Sequence, residues 1–158
     1  MNPYEEIIEG ETLLRQAPDA RHEAICARLH VCLARCASEL SSTRLLDPRS
    51  IVQISPGTML RPDLALVTSA TNKLWLAVEI VSARDHRIDT VRKKSVYEDS
   101  KIPRLWMIDP RYDNLEVYHA TEYGLALKHI LAQRETLTET LLPGFSLTLA
   151  HLFGLNPA

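Results

Sequence analysis

Two carboxylates carry the chemical signal of this chain. Glu79 lies inside LWLAVEIVS, residues 74–82, a run that is apolar on both alternating faces except at this one position. Such a run reads as a central strand buried on both sides. A carboxylate there is costly unless it is paired with a cation, protonated or bound to a metal. Asp63 follows Pro62 at the start of the preceding strand, and adjacent strands can bring both acids to one end of a sheet. Two carboxylates with a main-chain carbonyl nearby, here that of Ile80, suit a hard divalent cation such as Mg²⁺ or Mn²⁺. Such an ion lowers the pKa of a bound water and neutralises a scissile phosphate, and a lysine beside it steadies the developing charge. The plainer alternatives are an ion pair for Glu79 and a strand-capping turn for Asp63.

The elements that must position these acids follow from local patterning. Tyr4 to Arg15 reads as a hairpin turning at Glu9-Gly10. Asp19 is a good N-cap for a helix running to about Leu40, with Ile25, Leu29, Cys32, Cys36 and Leu40 as its buried stripe. Short strands are expected at residues 43–46, 51–55, 64–68 and 74–82. A charged helix spans Ile88 to Lys101 before Pro103, and strands follow at 104–108, 115–119 and 125–132. The tail from Ser146 to Phe153 reads as a last helical turn, and Trp75 and Trp106 as core. The pattern is α/β, a mixed central sheet flanked by helices, in one domain over residues 1–158.

On the helix after Glu79, Asp89, Lys93 and Tyr97 recur every fourth residue and so share one face. Arg84, Arg87, Arg92, Lys93 and Lys94 outnumber Asp85 and Asp89 in the same stretch, which suits phosphate contact beside a metal. His22 at the start of the first helix could orient a water or meet a phosphate. The series His22, Cys26, His30 has helical spacing but lacks a fourth metal ligand in sequence.

The arrangement of Pro62-Asp63 followed by Glu79 in a hydrophobic strand resembles the PD-(D/E)XK nuclease superfamily. The wider pattern of Glu79, Ser82, Asp89, Lys93, Tyr97, Trp106, Asp109 and Pro110 resembles the Uma-type family of restriction-endonuclease-like proteins. The opening hairpin ending in Gly10-Glu11, Arg21-His22 and the closing LLPGFSLTLAHLF extend the resemblance over nearly the whole chain. It implies a restriction-endonuclease-like fold and metal-dependent hydrolysis of DNA, with duplex as the expected substrate and a homodimer as the expected assembly. It departs from the superfamily at Val81, where the lysine usually stands, and assigns that role to Lys93 with Lys94 as a substitute. It also suggests Glu11 as a third acid near the metal, and Arg87, Arg92 and Lys94 as holders of the backbone. Ala83-Arg84-Asp85 replaces the Pro-Ser-Thr usual in relatives. The alternative reading is a nuclease-fold module that binds nucleic acid or a protein partner without cleaving.

Composition bounds these readings. The chain has 158 residues, with 46% hydrophobic and 24% charged, which excludes wholesale disorder. Its net charge of -2 gives no global attraction to nucleic acid, so any contact must be local. An acidic N-terminus argues against a signal peptide, and the absence of a long apolar run argues against a membrane span. Three cysteines without a CxxC pair suit a reducing, cytoplasmic setting.

Overall fold

In a computed structural model, residues 2–155 are described; residues 1 and 156–158 of the expected domain lie outside that range. A two-residue turn joins β1 (Tyr4–Ile8) to β2 (Glu11–Arg15), with Glu9 and Gly10 both left-handed at φ 49° and 80°. That conformation matches the twist of a tight hairpin. β1 also pairs with β5 (Thr58–Leu60), which pairs with β4 (Val52–Ser55), giving a four-stranded sheet in the order β2-β1-β5-β4. β5 is absent from the sequence expectations because three residues are too few to display an alternation.

The larger sheet has six strands. Beyond β3 (Thr43–Leu45) lie β6 (Leu64–Thr68), β7 (Leu74–Ile80), β8 (Arg104–Asp109), β9 (Asn114–Thr121) and β10 (Gly124–Ala132), in the order β10-β9-β8-β7-β6-β3. Only β7 and β8 run parallel, so the chain crosses over between them. The crossover holds a π-helical segment, Ile88–Lys93, which continues into α2 (Lys94–Asp99). Its wider turns leave the expected face intact: Asp89, Lys93 and Tyr97 are all buried.

One face of this sheet packs against α1 (Ala20–Ala37), whose N-cap Asp19 accepts a hydrogen bond from the His22 amide at 2.8 Å. Leu66, Leu76, Val78, Ile80, Trp106 and Ile108 meet Ile25, Leu29 and Leu33 there. The helix ends three residues before the expected Leu40, and its buried stripe is Ile25, Cys26, Leu29, Leu33 and Ala37. Cys32 and Cys36 are half-buried at the margin, because a run at every fourth residue keeps 25, 29, 33 and 37 against the sheet. The C-terminal segment closes this layer. β11 (Thr136–Thr138) pairs with β12 (Ser146–Thr148) before α3 (Leu149–Leu152), so the expected tail helix is shorter and preceded by a strand. The other face of the sheet, with Ala77, Val81, Leu105 and Met107, meets Ile8 and Leu60 of the small sheet and Tyr97 of α2. Among the described residues, no helix is long and apolar enough to cross a membrane.

Candidate active site

The ends of β6 and β7 define the first half of the site. Their antiparallel register pairs Leu64 with Val78, so the next step sets Asp63 across from Glu79. Asp63 extends the ladder with its side chain: Oδ2 accepts from the Ile80 amide at 2.7 Å. Oδ1 accepts from Arg49 Nη1 at 3.0 Å, and His22 Nε2 lies 3.3 Å away. The same His22 nitrogen is 3.1 Å from the Ile80 carbonyl oxygen. Arg49 also donates to Glu23 at 2.5 Å, and its backbone is left-handed at φ 57°. A non-glycine residue keeps that conformation when its surroundings over-determine it. Here both the Arg49 amide, at 3.2 Å from the Asp63 carbonyl, and the guanidinium are anchored to one residue.

The second half is an ion network between the two sheets. Glu79 is 1% exposed and receives Lys93 Nζ at 2.5 Å and the Tyr97 hydroxyl at 3.3 Å. Lys93 also reaches Glu6 Oε2 at 2.8 Å, and that oxygen accepts from the Arg61 amide at 2.7 Å. The buried Arg15 ties three acids together: Glu6 at 2.5 Å, Asp89 at 2.8 Å and Asp85 at 2.9 Å. The other oxygen of Asp89 accepts from the Ser82 amide at 3.0 Å. Arg15 therefore fixes the π-helical segment to the hairpin, and with it the direction of Lys93.

Burial pushes the Glu79 carboxyl well above its usual range; Lys93 opposes that shift, and Glu6, Asp63 and Asp89 add to it. Burial alone would lower Lys93, but Glu79 and Glu6 hold it well above the usual lysine range, so it stays an ammonium. Glu6 is lowered despite its burial, chiefly by Lys93.

A cleft of about 350 Å³ opens between the start of α1 and the ends of β7 and β8. Its walls include Tyr4, Arg15, His22, Asp63, Ile80, Arg84 and Arg111. Asp63 and Ile80 thus line the cleft beside His22 of α1, whereas Glu79 and Lys93 meet Glu6 and Tyr97 on the side of the small sheet and do not line it. The remaining candidates lie elsewhere. Glu11 is exposed and pairs with Arg92 at 3.0 Å, and Lys94 stacks over the Tyr118 ring at 4.5 Å. Arg87 is exposed, and neither it, Arg92 nor Lys94 lines the cleft.

Sequence reasoning missed Glu6, Arg15, Arg49 and Arg111. A signal existed for Glu6, which shares the inward phase of β1 with the buried Ile8. Arg49 gave none, since it reaches Asp63 from a loop fourteen residues earlier.

The donors fit a divalent cation in chemical type and in charge. They are hard oxygens, of Asp63 and of the Ile80 carbonyl, that lie within 3.3 Å of one His22 nitrogen. Among the described residues, no three His, Cys, Asp or Glu side chains converge in metal-binding geometry. A cation here would therefore rest on few side chains, the Ile80 carbonyl and water, as Mg²⁺ commonly does.

Fold and site together define a restriction-endonuclease-like α/β protein. Residues 3–150 match the Uma2 family, described as "Putative restriction endonuclease", and the chain belongs to that family. A solved structure described as "a putative nuclease belonging to DUF820 from Anabaena variabilis ATCC 29413" is similar at TM-score 0.80 and 14% identity, covering 98% of this chain and 92% of that one. That likeness bears on the fold. The type IIG restriction endonuclease BpuSI is more distant, at TM-score 0.45 and 12% identity over 85% of this chain and 15% of that one. No curated protein matches.

Proposed function

We propose that this protein is a divalent-metal-dependent endonuclease that hydrolyses phosphodiester bonds in duplex DNA, acting in the cytoplasm as a homodimer. The observation that carries the reading is that Asp63 and the Ile80 carbonyl meet at the wall of the cleft, while Lys93 is held against Glu79, the residue before Ile80 in β7. Asp63, Glu79 and the Ile80 carbonyl would hold Mg²⁺ or Mn²⁺. Bound there, the ion would supply a lowered water pKa and neutralisation of charge on the phosphate.

The protein's own groups do the rest. Lys93 is a fixed donor whose position does not depend on substrate, so it stabilises developing negative charge without reorganising. Arg15 and Asp89 hold its helix in place. Arg84 and Arg111 on the cleft wall offer cations to the DNA backbone, with Arg87, Arg92 and Lys94 further along the surface. Tyr4 covers one side of the cleft, and burial raises its hydroxyl above the usual range, so it acts as a neutral wall rather than a base.

A second reading, binding without cleavage, has one observation in its favour. Both oxygens of Asp63 already have protein donors, and Glu79 is met by Lys93 and Tyr97, so the cluster can stand as a structural ion network. Supercoiled plasmid incubated with Mg²⁺ or Mn²⁺ separates the two. Nicking by the wild type that disappears in Asp63→Asn and Glu79→Gln supports the enzyme. Binding of DNA with no nicking, or nicking that persists in both variants, contradicts it.

A further inference from the structure

The feature that the preceding reading leaves unused is His22. Its Nε2 lies 3.1 Å from the Ile80 carbonyl oxygen and 3.3 Å from Asp63 Oδ1. Two oxygens expected to hold a cation therefore converge on one imidazole nitrogen. The opposite ring atom, Nδ1, is buried and has no hydrogen-bond partner. The nearest acid to it is Glu23, whose Oε1 is 3.9 Å away and is itself anchored by Arg49.

Neither neutral tautomer suits both ends of the ring. A proton on Nε2 serves the two oxygens but turns the Nδ1 lone pair toward the Glu23 carboxylate. A proton on Nδ1 faces Glu23 well, but then the Nε2 lone pair meets two oxygen acceptors. A cation between Nε2 and the oxygens relieves the conflict at Nε2 and leaves the Nδ1 proton on the side of the Glu23 carboxylate, 3.9 Å away. An imidazolium would relieve it as well, and it would exclude a cation from that point.

We infer that His22 is a nitrogen ligand of the cation held by Asp63 and the Ile80 carbonyl, and that it tilts this site toward Mn²⁺ and Co²⁺ over Mg²⁺ and Ca²⁺. The inference rests on the metal-dependent reading above and adds a ligand and a preference to it. Imidazole favours transition ions, whereas an all-oxygen site leaves Mg²⁺ and Ca²⁺ on better terms. Arg49 donates to the same oxygen of Asp63, so a cation takes over a position that this guanidinium shares with the imidazole.

Pulsed electron paramagnetic resonance of Mn²⁺ added to the full chain without DNA reads the inference directly, with calorimetric titration of Mn²⁺ and Ca²⁺ alongside. The expected result is ¹⁴N modulation from one imidazole in the wild type. Its loss is expected in His22→Gln, together with a fall in Mn²⁺ affinity of about tenfold or more and a smaller fall for Ca²⁺. The nitrogen signal needs no variant, so a failure of His22→Gln to fold does not blunt the test. Mn²⁺ that binds in an Asp63-dependent way without ¹⁴N modulation overturns the histidine ligand and leaves the nuclease reading standing. Equal losses of Mn²⁺ and Ca²⁺ affinity in His22→Gln overturn the preference. No Mn²⁺ binding at millimolar concentration, or binding that Asp63→Asn does not change, overturns both the inference and the reading beneath it.

Discussion

The two faces of β7 are built on opposite principles. Toward α1, Leu76, Val78 and Ile80 enter a dry cluster with Ile25, Leu29, Leu33 and Trp106. Toward the small sheet, Glu79 lies between Ala77 and Val81, and its neighbours Glu6, Arg15, Asp89 and Lys93 are all buried charges. Each large aliphatic group on the first face contributes about 1.5–3 kcal/mol by leaving water. Charges on the second must recover their lost hydration from one another, and a buried ion pair often does no better than apolar residues of the same shape. The first face can therefore carry the fold, while the second is retained at a cost that stability does not explain. Of its charged groups, Arg15 reaches the cleft wall, and Glu79 is the strand neighbour of Ile80, which lines it.

Substitutions on the two faces should break this contrast in different ways, and Lys93→Ala is expected to have the largest effect. It strips the cation from Glu79 and Glu6 together. Denaturant titration should show a loss of about 3–5 kcal/mol, because Glu79 is left buried without a cation while Glu6 keeps only Arg15. Cleavage by the remaining folded protein should fall about 10²–10³-fold, the usual consequence of removing a preorganised donor. Leu33→Ala, on the apolar face at 1% exposure, should cost a comparable or smaller 2–5 kcal/mol in the same titration. Its cleavage rate per folded molecule should be unchanged. A loss of activity there would show that the two faces are not separable.

Two smaller effects sharpen the boundary of the site. Asp19→Ala removes the N-cap of α1 and should lower stability by about 1 kcal/mol. A visible fall in cleavage is also expected, since His22 sits in that first turn. Glu11→Gln breaks only the exposed pair with Arg92, worth less than about 1 kcal/mol. Plasmid nicking by this variant should stay within about twofold of wild type by the same reasoning. A large loss would restore Glu11 to the metal site that the resemblance suggested for it.

What could be read in the chain beforehand was what short-range pattern encodes. The hairpin, the central strand with its out-of-place Glu79, and the shared face of Asp89, Lys93 and Tyr97 all follow from local periodicity. The partners of those residues do not. Arg15 meets Asp89 across 74 positions, and Lys93 meets Glu6 of the first strand. The alternation that buries Ile8 also turns Glu6 inward, but no local spacing says which cations Glu6 will meet there. The α1 stripe illustrates the same limit. Cysteine is small enough to pass as core or as margin, and the C-terminal segment beside Cys36, including Pro143, settles which.

Glu79→Gln tests the central claim most directly, because it keeps the shape of the side chain and removes its charge. Single-turnover cleavage of a labelled duplex at saturating Mn²⁺ should slow by at least about 10²-fold. The denaturation midpoint should fall less than in Lys93→Ala, since Lys93 keeps its pair with Glu6. An undiminished cleavage rate would contradict the account, and so would a rate that falls only in proportion to lost folding.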